Sequence, residues 1–242
     1  MQNFLSAIRF LTVLPAGKED GSFDAVGMLA WFPVVGLVIG AIVAVFDWTA
    51  LHFWPAQVVA VLDVLLLALI TGAFHVDGVA DTADGLFAHH SPARALEIMK
   101  DSRVGAMGLI AVVLCLAVKG SGLSVVAPHR FLVLLTVPAF ARAAMVFAVR
   151  FLPYGRQSGT GQSFFDRPLS GEHYLPLAAP LVPAVFLGPR FLLLAAGFAL
   201  LTAGAILFYK KRIGVITGDM LGALCETEEA LLFLLLAAGG MP

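Results

Sequence analysis

Seven largely apolar stretches, most near the ~20 residues that a helix needs to cross a bilayer, set the terms for this chain. They fall at about 26–47, 56–74, 105–126, 131–149, 174–187, 190–209 and 220–238 of 242 residues. With 60% hydrophobic and 13% charged residues and a mean hydropathy of +0.94, one soluble core cannot hide so much apolar surface. Soluble domains carry roughly a quarter charged residues. In hydrocarbon every backbone polar group must be paired within the protein, which leaves helices or a closed barrel. The runs do not alternate in polarity, so helices are expected. The fold class is therefore all-α: a polytopic membrane bundle of about seven transmembrane helices, one integral-membrane domain over 1–242. No internal repeat and no soluble domain is visible. The fifth span is short and proline-rich (Pro176, Pro180, Pro183) and with the sixth forms two spans or a broken pair.

Residues 1–16 place Phe4, Ile8 and Leu11 on one helical face, which suits a helix lying along the membrane interface. They lack the cleavage site of a removable leader. Orientation follows from lysine and arginine. With the N-terminus in the cytoplasm, eleven fall inside: Arg9, Lys18, Arg94, Lys100, Arg103, Arg150, Arg156, Arg167, Lys210, Lys211 and Arg212. Only Arg130 and Arg190 fall outside; Lys119 and Arg142 lie within spans. A cell inner (cytoplasmic) membrane protein with a cytoplasmic N-terminus is expected. The net charge of −1 suggests no nucleic-acid partner. Cys115 and Cys225 sit in apolar runs and imply neither a disulfide framework nor zinc.

The loop 75–104 carries the chemistry. It opens His75-Val-Asp77-Gly78-Val-Ala-Asp81-Thr-Ala-Asp84-Gly85. Were this helical, Asp77, Asp81 and Asp84 at i, i+4 and i+7 would point within about 60° of one another. Like charges so placed destabilise a bare helix, so a cation is expected among them. Carboxylate oxygens suit a hard ion such as Mg²⁺, shared with substrate phosphates. Gly78 and Gly85 would let a ligand or another backbone approach. His75 is either a base or, as a lone histidine beside an apolar run more often is, packed.

The loop ends Lys100-Asp101-Ser102-Arg103. Arg103 can fork onto phosphate oxygens and Lys100 adds a point charge. Asp101 is a further ligand, a base or the orienter of Arg103, and Asp101-Ser102 otherwise caps the next span. A second acidic site opens the seventh span, where Asp219 and Glu226 share a face with Gly222 between them. Carboxylates at that depth are functional candidates. Arg142, about 12 Å from the cytoplasmic end, can reach a bound diphosphate. Asp63 and Lys119, at similar depth, are expected to pair with each other.

At these residues the chain resembles a known family. The run from Thr71 to Gly85, the run from Glu97 to Gly105, and Thr217-Gly218-Asp219 with Gly222-Ala223 and Glu226 look like the signatures of cobalamin synthase, adenosylcobinamide-GDP ribazoletransferase. Phe32-Pro33 with Gly36 also fits. Ala73 stands where a second glycine is usual, and Val76 where leucine is. The resemblance implies adenosylcobinamide-GDP and α-ribazole, or its 5′-phosphate, as substrates, with GMP expelled and adenosylcobalamin, or its phosphate, formed.

The residues fit phosphoryl transfer, which needs positioning and charge neutralisation above all. Asp77, Asp81 and Asp84 are the expected Mg²⁺ ligands. Asp219 and Glu226 are further ligands, or one is the base. Arg103, Lys100 and Arg142 would hold phosphates. One rival is a CDP-alcohol phosphotransferase making phospholipid, although Asp81 replaces that motif's arginine. The other, a cation channel or transporter, expects carboxylates spread through the membrane's depth. The number of metals, the base, the corrin surface, the role of 150–173 and the oligomeric state, homo-oligomer included, stay open.

Overall fold

The computed structural model describes residues 2–17, 24–87, 91–126, 129–156, 159 and 161–238. Among them the regular elements are helices: α1 (Gln2–Leu11), α2 (Ala25–Leu29), α3 (Phe32–Ala50), α4 (Ala56–Ile70), α5 (Phe74–Leu86), α6 (Pro92–Ile98), α7 (Ala106–Val125), α8 (Arg130–Phe151), α9 (Leu181–Ala184), α10 (Pro189–Arg212) and α11 (Gly218–Ala237). The all-α expectation holds. By length and composition α3, α7, α8 and α10 can each cross a membrane, and α4 with α5 makes a fifth crossing if their 91° bend is allowed. α11 has 20 residues, but Asp219, Glu226, Glu228 and Glu229 keep it outside that composition. The fifth expected span is a run of short pieces over Pro176–Leu187. Its prolines remove N–H donors and break the ladder into 3₁₀ and α turns.

α8 is the axle of the bundle. Its apolar window is 83% buried, and α3 lies against it through Gly36 and Gly40. A Cβ at Gly36 would sit 2.4 Å from the Ala139 Cα, and one at Gly40 2.4 Å from the Leu135 carbonyl oxygen. This is the small-xxx-small contact that membrane helices use in place of a hydrophobic driving force. α7 and α11 run side by side in the same direction: Cys115 lies against Glu226 and Gly122 against Phe233 and Leu234. α10 packs back along α11, with Gly197 beside Leu235 and the Tyr209 hydroxyl donating to the Met220 carbonyl. Hence α3, α7 and α11 begin at the end of the bundle where α8 and α10 finish. The helix expected over 1–16 forms as α1, but Leu11 is buried and Phe4 and Ile8 pack on the core, so the apolar stripe expected to lie along the membrane interface faces protein.

The buried charges pair differently from expectation. Lys119 bonds Glu226 at 2.5 Å and lies 3.6 Å from Glu229, while Arg142 bonds Glu229. Asp63 instead meets Arg130 at 3.1 Å, and Arg130 also holds Asp47 at 2.7 Å. The expected Asp63–Lys119 pair does not form. Similar depth does not fix azimuth: Leu116, Ala117 and Gly120 face α4, whereas Lys119 points to α11.

The bend between α4 and α5 rests on Gly72 (φ +61°) and Ala73 (φ +57°), both left-handed. Glycine adopts that region freely, whereas a Cβ there costs about 1–2 kcal/mol. Ala73 is exposed, so its methyl has little to lose. Ala73→Gly should therefore stabilise the protein, raising the thermal midpoint by roughly 2–4 °C for each kcal/mol gained. A lower midpoint in a detergent melt would mean that the methyl group packs.

Candidate active site

α5 turns away from α4 and lies across the opening turns of α7 and α11. Its buried side carries His75, Gly78, Val79, Thr82, Ala83 and Leu86, while Asp77 is exposed and Asp81 and Asp84 half-exposed. Helical spacing thus does what the aspartate pattern predicts, and Asp77 in the first turn also complements the helix dipole. Gly78 meets the Asp219 backbone, where a Cβ would lie 2.6 Å from the carbonyl oxygen, and Gly222 meets the His75 Cα. Gly85 sits against the Met99 side chain. Both α5 glycines, expected to admit a ligand or a backbone, admit protein.

Asp84 accepts from the backbone N–H groups of Gly105 at 2.7 Å and Gly108 at 2.8 Å. It satisfies donors that the start of α7 leaves without an intrahelical acceptor. A Cβ at either glycine would fall 2.4 Å from an Asp84 oxygen, so only glycine fits this clamp. Asp84 ties α5 to α7, and Asp77 and Asp81 carry the outward charge.

Asp219 stands in the first turn of α11, behind Thr217, whose hydroxyl accepts from the Met220 N–H. Arg156 holds it: one guanidinium nitrogen donates to the Asp219 carboxylate at 2.5 Å and to the Met99 carbonyl at 3.1 Å. Gly155 and Ile216 place Arg156 there, because the Gly155 N–H donates to the Ile216 carbonyl and the Ile216 N–H to that of Pro153. The sequence offered no signal for this contact, which joins residues 63 apart. Farther along the same loop Arg167 bonds Asp24, the cap of α2, at 2.7 Å, an anchoring role.

Electrostatics shows a shortage of positive charge. Burial first, then the charges of Asp77, Asp219 and Asp84, push the Asp81 carboxyl up to about 6, against the opposing pull of Arg156. Asp219 is raised too, by burial and by Asp77, again against Arg156. At the rim, Asp101 and Arg103 bond each other at 2.5 Å in the open, and that contact holds the Asp101 carboxyl down at about 2. Of the roles open to Asp101, orienting Arg103 is the one its geometry serves. Lys100 is exposed beside them.

Two expected site residues lie elsewhere. Glu226 is 4% exposed and taken by Lys119; Arg142 is 1% exposed and taken by Glu229. Arg142 reaches back one turn along α8 to the Pro138 carbonyl and across to the Glu229 carboxylate. His75 is packed at 1% exposure.

Among the described residues, no three His, Cys, Asp or Glu side chains already converge on a common point for an ion. The donors that do gather are carboxylates, which suit a hard cation. Mg²⁺ usually takes one or two carboxylates and completes its shell with water and phosphate oxygens. Asp77 and Asp81 are donors of the type such an ion takes.

This is a helical bundle with lipid-length helices and a carboxylate-rich site across one end. The family described as Cobalamin-5-phosphate synthase matches residues 3–237, and the chain belongs to it. It is similar to the "Adenosylcobinamide-GDP ribazoletransferase" of Syntrophobacter fumaroxidans, 40% identical over 238 residues, with 95% of this chain and 96% of the relative covered. The proteins of that name from Synechococcus elongatus (36% over 241 residues, covering 97% of this chain and 95% of the relative) and Roseiflexus sp. (34% over 226 residues, covering 92% and 84%) are also similar. No solved structure matches.

Proposed function

We propose that this chain is a membrane transferase that joins adenosylcobinamide-GDP to α-ribazole or its 5′-phosphate and releases GMP. The observation that carries the reading is the meeting of Asp77 and Asp81 with Asp219 at the junction of α5 and α11, in a chain whose relatives bear that activity in their names. The ribazole hydroxyl attacks the phosphorus joined to cobinamide. A P–O bond forms as the bond to the GMP phosphate breaks; GMP leaves with the electron pair, and the hydroxyl proton passes to water or a rim carboxylate. A Mg²⁺ ion held by Asp77 and Asp81 supplies charge neutralisation on the diphosphate. Arg103, oriented by Asp101, and Lys100 receive phosphate at the rim.

Seven crossings with the N-terminus inside suit the alternation of the helices, with Pro176–Leu187 as a short broken passage. The paired carboxylates let α11 lie in the membrane at reduced cost. The eleven-to-two distribution of lysine and arginine supports a cytoplasmic site in the cell inner membrane.

Purified protein in liposomes, given adenosylcobinamide-GDP, α-ribazole and Mg²⁺, should release GMP only when all three are present. If folded protein releases none, this reading fails, and CDP-alcohols and then ion flux become the assays to run.

A further inference from the structure

Arg156 is the cation bonded to Asp219 in the site, yet it belongs to neither the α5 nor the α11 motif. Its side chain is 13% exposed and that of Asp219 21%. Its Nε is buried without a partner. The backbone behind it is pinned to Ile216, and the Tyr154 and Phe165 rings pack at a tilt, 5.1 Å apart. Phe164, next in line, packs edge-on against Phe10 and Phe32 at 5.4 and 5.6 Å. The base of Arg156 is therefore rigid, while its tip is shared between one carboxylate oxygen and one carbonyl.

The guanidinium takes one Asp219 oxygen, and its positive charge beside that carboxylate opposes a divalent ion there. The same planar fork also matches phosphate oxygens better than it matches a single carboxylate oxygen. Resting on the metal–diphosphate reading above, we propose that Arg156 is an exchangeable counter-charge. Without substrate it neutralises Asp219. When a nucleoside diphosphate group arrives, its guanidinium moves onto the phosphate oxygens and leaves Asp219 to the metal. Arg156 thereby couples nucleotide binding to metal binding, each favouring the other.

The test measures binding, not turnover, on the full chain in detergent, with Mn²⁺ as the metal (followed by its electron paramagnetic resonance) and GDP as the nucleotide. A charge-assisted contact is worth ~10–100-fold in affinity. Arg156→Ala should bind Mn²⁺ alone at least tenfold more tightly than wild type and GDP at least tenfold more weakly. The mutual enhancement between the two ligands should disappear. Arg156→Lys, which keeps a point charge without the fork, should restore Mn²⁺ affinity but not GDP affinity. Opposite shifts cannot come from misfolding, which weakens both ligands. If wild type binds Mn²⁺, Asp81→Asn abolishes that binding, and Arg156→Ala leaves Mn²⁺ affinity unchanged, the exchange is overturned and the metal site stands. If Arg156→Ala and Arg156→Lys both weaken Mn²⁺ and GDP together, Arg156 is a fixed anchor and the exchange is overturned. If wild type binds no Mn²⁺ with or without GDP, the metal site itself is absent and the exchange with it.

Discussion

Asp81→Asn should give a protein that is sturdier than wild type without metal and at least about a thousandfold slower in releasing GMP. Both effects have one cause. Asp81 faces Asp77, Asp219 and Asp84, with Arg156 the cation that opposes them. Asparagine keeps the shape and removes the repulsion. On the proposed mechanism it also removes a hard-oxygen ligand from a reaction that depends on charge neutralisation, where such losses amount to several kcal/mol. The pH dependence has a definite sign. The folded carboxyl titrates at about 6 against an ordinary 3.8. Below the ordinary value folded and unfolded chains both hold the proton. Between the two values only the folded chain does, so stability is lost as pH rises through that window. Metal-free wild type should thus melt lower at pH 7.5 than at pH 5, and Asp81→Asn should melt with a flatter profile. Thermal melts with chelator, set beside GMP assays with Mg²⁺, check both halves. A variant that melts lower than wild type at pH 7.5 would show that Asp81 carries no repulsive load.

The second large effect lies in the middle of the bundle. Arg142, Glu229, Lys119 and Glu226 form an alternating cluster linking α7, α8 and α11. Removing one member of a buried pair strands its partner and costs about 3–5 kcal/mol, whereas replacing both with apolar groups is often close to neutral. Arg142→Met should therefore unfold readily or fail to accumulate, and Arg142→Met with Glu229→Met should recover most of the loss. Because the cluster lies below the aspartates, the double variant should keep its KM for the GDP-linked substrate within a few-fold. A folded double variant with a KM raised tenfold or more would return Arg142 to the phosphate-binding role that the sequence suggested.

What was readable beforehand was whatever a helix repeats. Asp77, Asp81 and Asp84 share a face because 3.6 residues make a turn, and the spans at α3, α7, α8 and α10 announce themselves by length. What escaped depends on which helix faces which. Lys119 and Asp63 have matching depths but point to different neighbours. Gly36 and Gly40 mark the α3–α8 contact in a spacing that the sequence shows but that names no partner. Arg156 reaches Asp219 across 63 residues through a backbone pairing of Gly155 with Ile216 that no local pattern foretells. Gly78 and Gly85 did signal close approach, and the approaching group proved to be the protein itself. The bend at Gly72 and Ala73 turned an expected loop into a helix laid across the bundle.

The distance along the chain between Asp84 and Asp219 has a consequence for how the protein comes into being. A ribosome releases α5 long before it makes α11, so the nascent chain holds three carboxylates on one helix with no Arg156 beside them. Until α11 has been made, Gly78 of α5 has no Asp219 backbone to pack against. Synthesis interrupted anywhere before Asp219 therefore leaves the α5 aspartates without the α11 carboxylate that faces them, and the two halves of the site meet only when the last helix is made.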